Sequence, residues 1–220
     1  MQQLLIILFF TLLWPSAYQA EDTITGIYEE KALDILADAR DRFHSFETFY
    51  SEFEYAASAT DFGSSMGEGG YLYTKGNKYR MKLNGSLFIS DGITAWSFLE
   101  DINEVHISDI LETEGMLTPI SLIEHHRDNF HPLWIRQEVY RNKTVDVIDL
   151  VPADPHTAFS KYRVAIDKNS KLIAYVVAYD RQGGSYSYTI TKNEINPDIP
   201  GSLFDFNPDD YPGIEVIDLR

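Results

Sequence analysis

The sequence contains no cysteine among its 220 residues. This absence excludes disulfide bonds, thiolate metal sites, a cysteine nucleophile and a lipid-modified N-terminal cysteine. Basic residues are scarce as well, because 18 Lys and Arg stand against 34 Asp and Glu, which gives a formal net charge of −16. A charge of that sign repels nucleic acids and anionic membrane surfaces, so neither is expected as a partner.

Residues that could carry catalysis form no recognisable constellation. The acidic pairs Glu100-Asp101 and Asp209-Asp210 lack the spacing of a calcium loop and are typical of solvated turns. The glycine-rich stretch 61–70 lacks the Gly-Lys-Ser/Thr continuation of a phosphate-binding loop. The sequence therefore predicts a binding protein that is not an enzyme and that holds no metal and no cofactor.

The first twenty residues have the layout of a secretory signal peptide. A short apolar run from Leu4 to Trp14 is followed by Pro15 and by small residues that suit cleavage after Ala17 or Ala20. The run is too short to span a bilayer comfortably, although an uncleaved membrane anchor remains the alternative. We expect residues 1–20 to be a signal peptide and residues 21–220 to form a single exported domain.

Two segments have helical periodicity. The first is predicted to begin with Thr25 as its N-cap and carries apolar residues at helical spacing, namely Ala32, Leu36, Ala39 and Phe43. The second follows Thr118-Pro119, a favourable helix start. Three histidines come next, and their spacing favours solvated residues near a helix end over a metal site: His125, His126 and His131.

The rest of the chain alternates with the two-residue period of half-buried strands. Asn84-Gly85 and Asp91-Gly92 predict hairpin turns, and Trp96 and Phe98 share one face of the strand that follows. A long strand is predicted over 46–59. Further strands are predicted over 71–75, 135–141, 145–151, 161–167, 172–179 and 185–192. The pattern predicts one mostly antiparallel sheet with two helical segments.

Four stretches carry a resemblance to a known family. They are the Phe-rich stretch 46–53, the hairpin Ile-Ser-Asp-Gly-Ile-Thr-Ala-Trp-Ser-Phe at 89–98, Phe-Asp-Phe-Asn-Pro at 204–208 and Pro-Gly-Ile-Glu-Val-Ile-Asp at 212–218. In order and spacing they resemble the LolA-like family of periplasmic outer-membrane lipoprotein carriers.

This resemblance implies a mainly β fold with some α, an incomplete antiparallel β-barrel (a half-barrel) capped by helices. It implies a periplasmic chaperone that shelters the acyl chains of lipoproteins in an apolar cavity. Such a carrier takes acylated lipoproteins from an inner-membrane ABC-type lipoprotein releasing complex to an outer-membrane receptor, and we expect it to be a monomer. The alternative is a regulatory or envelope-stress-sensing module on the same fold, without a transport role.

The chain departs from the family pattern just after the predicted strand 71–75. The best-known members have an Arg followed by Pro there, and that Arg helps to hold the lid. This sequence has Thr74-Lys75-Gly76-Asn77-Lys78 instead, so Lys75 is the nearest cation. Lysine lacks the planar, two-pronged geometry of arginine, and the lid is expected to be held differently here.

An apolar cavity needs many aromatic residues and few fixed polar partners. Eight residues are the hypothesised lipid-binding set, although ordinary core packing is the alternative for each: Phe53, Tyr55, Tyr79, Met81, Trp96, Phe98, Tyr186 and Tyr188.

Overall fold

The computed structural model describes residues 17–59, 63–66, 69–109 and 119–220. Most of the predicted signal peptide, residues 1–16, lies outside this range, and so does Thr118. Two α-helices are described, α1 (Ala17–His44) and α2 (Pro119–Glu124). Neither described helix combines the length and the hydropathy that crossing a bilayer requires.

The strands of the described residues form a single sheet. They are β1 (Thr48–Ala59), β2 (Gly63–Met66), β3 (Gly70–Lys75), β4 (Lys78–Leu83), β5 (Ser86–Ser90), β6 (Thr94–Leu99), β7 (Glu104–Asp109), β8 (Phe130–Tyr140), β9 (Lys143–Pro152), β10 (Phe159–Asp167), β11 (Ile173–Asp180), β12 (Ser185–Ile195) and β13 (Glu215–Asp218). Every predicted strand is present, and several are longer than predicted.

The sheet is open, and β1 lies near its middle. The strand order is β13-β7-β6-β5-β4-β3-β1-β12-β11-β10-β9-β8, with β2 paired to β1 outside this path. All pairs are antiparallel except β13 with β7, which is parallel. Since β8 and β13 lie at opposite ends of this order, the barrel is incomplete, as the resemblance implied.

Helix α1 packs on the sheet through the predicted apolar positions. Ala32, Leu36 and Ala39 are buried, and they join one core cluster with residues of β8 to β11. The helix begins at Ala17, so the prediction that Thr25 is its N-cap is wrong. Helical periodicity marks the buried face of a helix but not its first turn, and this is why the predicted start was misplaced.

Helix α2 is short, and the histidine that follows it is not solvated. His126 is fully buried, and its Nδ1 lies 2.5 Å from the carbonyl oxygen of Ile123. Its Nε2 atom is buried without a hydrogen-bond partner in the described structure. The prediction of solvated histidines is therefore wrong for His126, whereas His125 and His131 are exposed.

Both predicted hairpins are present. Asn84 and Gly85 have φ angles of 49° and 73°, the left-handed conformation that a tight turn between β4 and β5 requires. In the next hairpin Asp91 Oδ1 accepts hydrogen bonds from the backbone N–H groups of Ile93 (2.9 Å) and Thr94 (2.8 Å). The Asp91 amide also donates to the Thr94 carbonyl, so the turn is centred on Gly92 and Ile93, one residue later than predicted.

The register assigns each side chain to one of two faces. We call the face that packs against α1 and α2 the inner face and the opposite one the outer face. Cross-strand partners point to the same side of a sheet, and Leu72, Met81, Phe88 and Ser97 form a continuous row of partners on the inner face. Trp96 and Phe98 therefore point outward.

The C-terminal strap, residues 196–214, covers the outer face of β4 to β7. Lys75 Nζ donates to the carbonyl oxygen of Ile199, and an Arg80 nitrogen donates to that of Leu203, both at 3.2 Å. Phe204 is completely buried, and Phe206 packs in one cluster with Phe98. The outer apolar surface of this half of the sheet is thus shielded by the chain's own end.

Truncation of the strap's buried anchor tests this arrangement. Phe204→Ala is expected to lower the free energy of unfolding by about 3–5 kcal/mol, because it removes a fully buried ring and leaves a cavity. Urea denaturation followed by circular dichroism measures the change. Leu219→Ala, at an exposed position, is the control and should change stability by less than about 0.5 kcal/mol. Equal effects of the two substitutions would contradict the strap's role.

Candidate functional site

Two cavities lie between the helices and the inner face of the sheet. The larger has a volume of about 240 Å³, and one α2 residue joins strand residues in its wall: Tyr55, Leu122, Phe159, Tyr162, Val176, Ala178, Tyr186 and Tyr188. The smaller has a volume of about 40 Å³ and lies between α1, α2, β1 and strands on either side of β1. Ala39, Phe43, Phe53, Met81 and Ile123 form part of its wall.

One ring pair lies between the two cavities. Phe53 lines the smaller cavity and Tyr188 the larger, and their ring centroids are 5.9 Å apart in an edge-to-face arrangement. The Phe53 ring is accommodated by Gly70 on the neighbouring strand, where an added Cβ would come within 2.4 Å of the ring. Glycine at position 70 therefore allows Phe53 to lie flat on the sheet between the cavities.

One residue in the wall of each cavity has a buried hydroxyl group without a hydrogen-bond partner among the described residues. Ser51 Oγ belongs to the smaller cavity and the Tyr162 hydroxyl to the larger, and neither has a partner in the described structure. Burial raises the pKa of Tyr162 to about 12, and the nearby Tyr188 hydroxyl contributes to this shift. The phenol is therefore neutral, and its hydrogen is available for donation throughout the physiological pH range.

Two polar contacts link the helices to their surroundings beside the cavities. Lys171 Nζ lies 2.9 Å from Asp38 Oδ2 and connects α1 to the turn before β11. His44 Nε2 lies 2.7 Å from Glu124 Oε1 and connects the end of α1 to α2. Both contacts are at the surface, where an ion pair is worth about 0–1 kcal/mol, so apolar packing holds the helices more firmly than charge does.

The structure brings five of the eight hypothesised lipid-binding residues to the cavities. Phe53 and Met81 line the smaller one, whereas Tyr55, Tyr186 and Tyr188 line the larger one. Tyr79 packs beside the cluster of Phe53, Leu72 and Met81 without lining either cavity.

Trp96 and Phe98 lie elsewhere, and their predicted place in the same cavity is wrong. Both point to the outer face, where Phe98 packs against Tyr211 with ring centroids 4.4 Å apart. The two-residue period separates the faces of one strand but does not reveal which face the helices will cover.

Lys75 is part of the strap contact described above. Its side chain points outward, away from the helices, and donates to Ile199. The cation next to the helices is Lys171, which has a left-handed φ of 63° and lines the smaller cavity. No local pattern in the sequence indicates this role, since Lys171 reaches Asp38 across 133 positions of the chain.

Several cavity residues were not predicted. Phe159 and Tyr162 belong to β10, whose inner-facing residues Tyr162, Val164 and Ile166 alternate along the strand. Alternation identifies them as buried, but only the order of β10, β11 and β12 in the sheet distinguishes cavity wall from core. Leu122 of α2 lines the same cavity from the side of the helices, opposite the sheet.

One stretch of the sequence matches a pattern found in serine hydrolases, but its structural setting differs from theirs. Residues 63–67 read Gly-Ser-Ser-Met-Gly and match the Gly-x-Ser-x-Gly pattern of serine hydrolases. In those enzymes the central serine occupies a sharp turn between a strand and a helix. Here Ser65 lies within β2, paired with Ala57 of β1, so the pattern is not in the setting that activates a nucleophile. The described residues also contain no group of side chains that could hold a metal ion.

The family model of the outer membrane lipoprotein carrier protein LolA matches residues 45–207. The chain belongs to this family. The matched part runs from the start of β1 through most of the strap and includes every strand that lines the cavities. A search of curated proteins finds no match to this chain.

Solved structures are similar to this chain at low sequence identity. A conserved protein from Thermus thermophilus is 10% identical with a TM-score of 0.60, covering 86% of this chain and 99% of its own, and it shares the fold. A LolA superfamily protein from Nitrosomonas europaea is 13% identical with a TM-score of 0.43, covering 80% and 97%. The lipoprotein LppX from Mycobacterium tuberculosis is 14% identical with a TM-score of 0.48, covering 78% and 98%.

Removal of the unpartnered phenol tests whether it destabilises the fold. Tyr162→Phe keeps the ring and removes a buried hydroxyl group that lacks a partner in the described structure, so it should raise the free energy of unfolding by about 1 kcal/mol. Chemical denaturation measures the difference. Tyr179→Phe on the outer face is the matched control and should leave stability within about 0.5 kcal/mol. A loss of stability in Tyr162→Phe would show that the hydroxyl has a partner.

His126 makes stability depend on pH. Burial lowers the pKa of His126, and Arg127 and Arg40 act in the same direction, whereas the Ile123 carbonyl and Glu124 oppose the shift. Below about pH 6.5 the unfolded chain binds a proton that the folded chain binds only at lower pH, so the free energy of unfolding should fall as the pH drops.

Denaturation of wild type and His126→Leu at several pH values between 5 and 8 measures this dependence, with the range chosen around the ordinary histidine pKa of about 6.5. The variant should lose the part of the slope that lies below that value. His125→Gln, at an exposed position, should retain it. An unchanged slope in His126→Leu would contradict the assignment.

Proposed function

We propose that the protein is a periplasmic carrier that shelters the acyl chains of lipoproteins between its helices and the inner face of its sheet. The observation that carries this proposal is the pair of apolar cavities separated only by the Phe53–Tyr188 ring contact in a chain of the LolA family. An aqueous compartment makes such shelter necessary. Each exposed CH₂ group costs about 0.8 kcal/mol, so one long acyl chain in water costs on the order of 10 kcal/mol.

The wall of the larger cavity suits hydrocarbon because none of the described residues that line it is charged. In the smaller cavity the single charged residue of the described wall is Lys171, which is paired with Asp38. A protein with a net charge of −16 thus has no acidic residue in the described walls of these two sites. Apolar ligands bind by removing surface from water, and in the larger cavity they would desolvate no charged group of the described wall.

Loading with a long chain requires the cavities to enlarge. Ligand pockets of drug-sized molecules usually measure about 300–1,000 Å³, which is more than the 240 Å³ and 40 Å³ found here. Rotation of the Phe53 and Tyr188 rings would join the two spaces, and separation of Lys171 from Asp38 would remove one polar contact that holds α1 beside the smaller cavity. Since that ion pair is at the surface, its loss costs little.

The remaining parts of the proposal follow from the resemblance. The cargo is an acylated lipoprotein, the donor is an inner-membrane ABC-type lipoprotein releasing complex, and the acceptor is an outer-membrane receptor. A signal peptide at residues 1–20 delivers a monomeric domain, residues 21–220, to the periplasm. The protein acts by binding and not by catalysis.

Probe displacement tests the proposal. The purified domain should bind the neutral fluorescent probe N-phenyl-1-naphthylamine in its folded state, and a triacylated lipopeptide should displace the probe. Ala178→Leu places additional methyl groups in the larger cavity and should weaken probe binding about tenfold or more.

A substitution on the same strand serves as the control. Ala174→Leu adds the same groups to the cluster on the outer face and should bind the probe as wild type does. Thermal unfolding of both variants separates loss of the cavity from loss of the fold. A wild-type protein that binds neither probe nor lipopeptide would contradict the carrier proposal and favour the regulatory alternative.

A further inference from the structure

The larger cavity has a chemical character that hydrocarbon alone does not require. Four tyrosines line it, Tyr162 among them, together with Phe159 and aliphatic side chains. No described residue of its wall is charged. Phenylalanine would supply the same apolar area without the hydroxyl groups. A tyrosine in such a wall normally finds a hydrogen-bond partner for its hydroxyl when buried.

Tyr162 departs from that rule. The residue is 3% exposed, and its hydroxyl is buried without any partner in the described structure. Two rings contact its ring: Phe130 packs edge-to-face with centroids 5.7 Å apart, and Phe159 packs at a tilt with centroids 5.3 Å apart. The donor is therefore fixed in position with no acceptor among the described residues, which is unfavourable for the empty protein.

The hydroxyl group of Tyr188 is a second neutral donor, and the ring that carries it lies toward the smaller cavity. Tyr188 is a cross-strand partner of Val176 and of Tyr55, on the inner face and beside the Phe53 ring. Burial raises the pKa of Tyr188 to about 12, so this group is also a neutral donor. Two phenols thus lie along one path from the larger cavity to the smaller one.

We infer that the larger cavity recognises an uncharged acyl ester or amide, with the Tyr162 hydroxyl donating to the acyl carbonyl while the hydrocarbon tail extends past Tyr188 and Phe53. The inference rests on the proposed function and specifies which part of the lipid this site binds. It assigns to the cavity the linkage region of an acylated molecule, where a polar, uncharged carbonyl meets an apolar chain.

Other ligand classes fit less well. A fatty-acid carboxylate would be buried without a cation, and an unpaired buried charge is far more costly than an unpaired carbonyl. A plain alkane would leave the Tyr162 hydroxyl unpartnered, as it is in the described structure. A carbonyl without charge satisfies the donor and adds no desolvation penalty of that size.

Competition between three ligands of similar chain length tests the inference. Methyl decanoate, undecane and decanoate are each titrated against N-phenyl-1-naphthylamine bound to the full domain at pH 7.5. We expect the ester to displace the probe about three- to tenfold more effectively than the alkane, the contribution of one neutral hydrogen bond. The carboxylate should be the weakest of the three.

The variant Tyr162→Phe should reduce the advantage of the ester over the alkane to less than about twofold. Tyr179→Phe, on the outer face, should keep the wild-type order. An ester no better than the alkane in wild type, an advantage that survives in Tyr162→Phe, or a carboxylate that binds as well as the ester would each overturn the inference alone. Failure of all three ligands to displace the probe would overturn the proposed function with it.

Discussion

The structure depends on the fact that each half of the sheet must cover an apolar face, and the two halves do so on opposite sides. Residues of β8 to β12 bury their inner face under α1 and α2. Residues of β5 to β7 bury their outer face under the C-terminal strap. Strand β1 joins the two halves through β12 on one side and β3 on the other. The inner face of β3 and β4 consequently receives little of the helical cover, and Ile120 is the α2 residue that reaches its cluster.

This arrangement explains why cavities and a well-packed core occur under the same helix. Where α1 presents Ala32, Leu36 and Ala39 to the sheet, small and large side chains interdigitate and pack closely. Beyond that contact, tyrosine and phenylalanine rings with fixed shapes leave gaps between them. Phe53 and Tyr188 lie between the two cavities, and the contact between their rings separates the two spaces.

Polar side chains on the two faces of the sheet differ in how well they are hydrogen-bonded. Outside, carboxylates are well paired, as where Asp149 accepts from both Lys161 and Arg163 on the outer face. Inside, three side-chain atoms are buried without partners in the described structure, namely those of Ser51, His126 and Tyr162. Unsatisfied groups of this kind lower stability, and their presence in two cavity walls is consistent with a site whose ligand completes it.

The sequence by itself determined the elements of this protein and the buried face of most of them. Alternation located the strands, helical spacing placed Ala32, Leu36 and Ala39 on the packed side of α1, and motifs at 89–98 and 204–218 indicated the family. These features are local, because periodicity acts within one element. Only the tertiary structure decided that Trp96 and Phe98 face the strap, that His126 is buried and that Tyr162 lines a cavity. Those outcomes depend on which distant segment covers each face, and that choice is made by contacts between residues far apart in the chain.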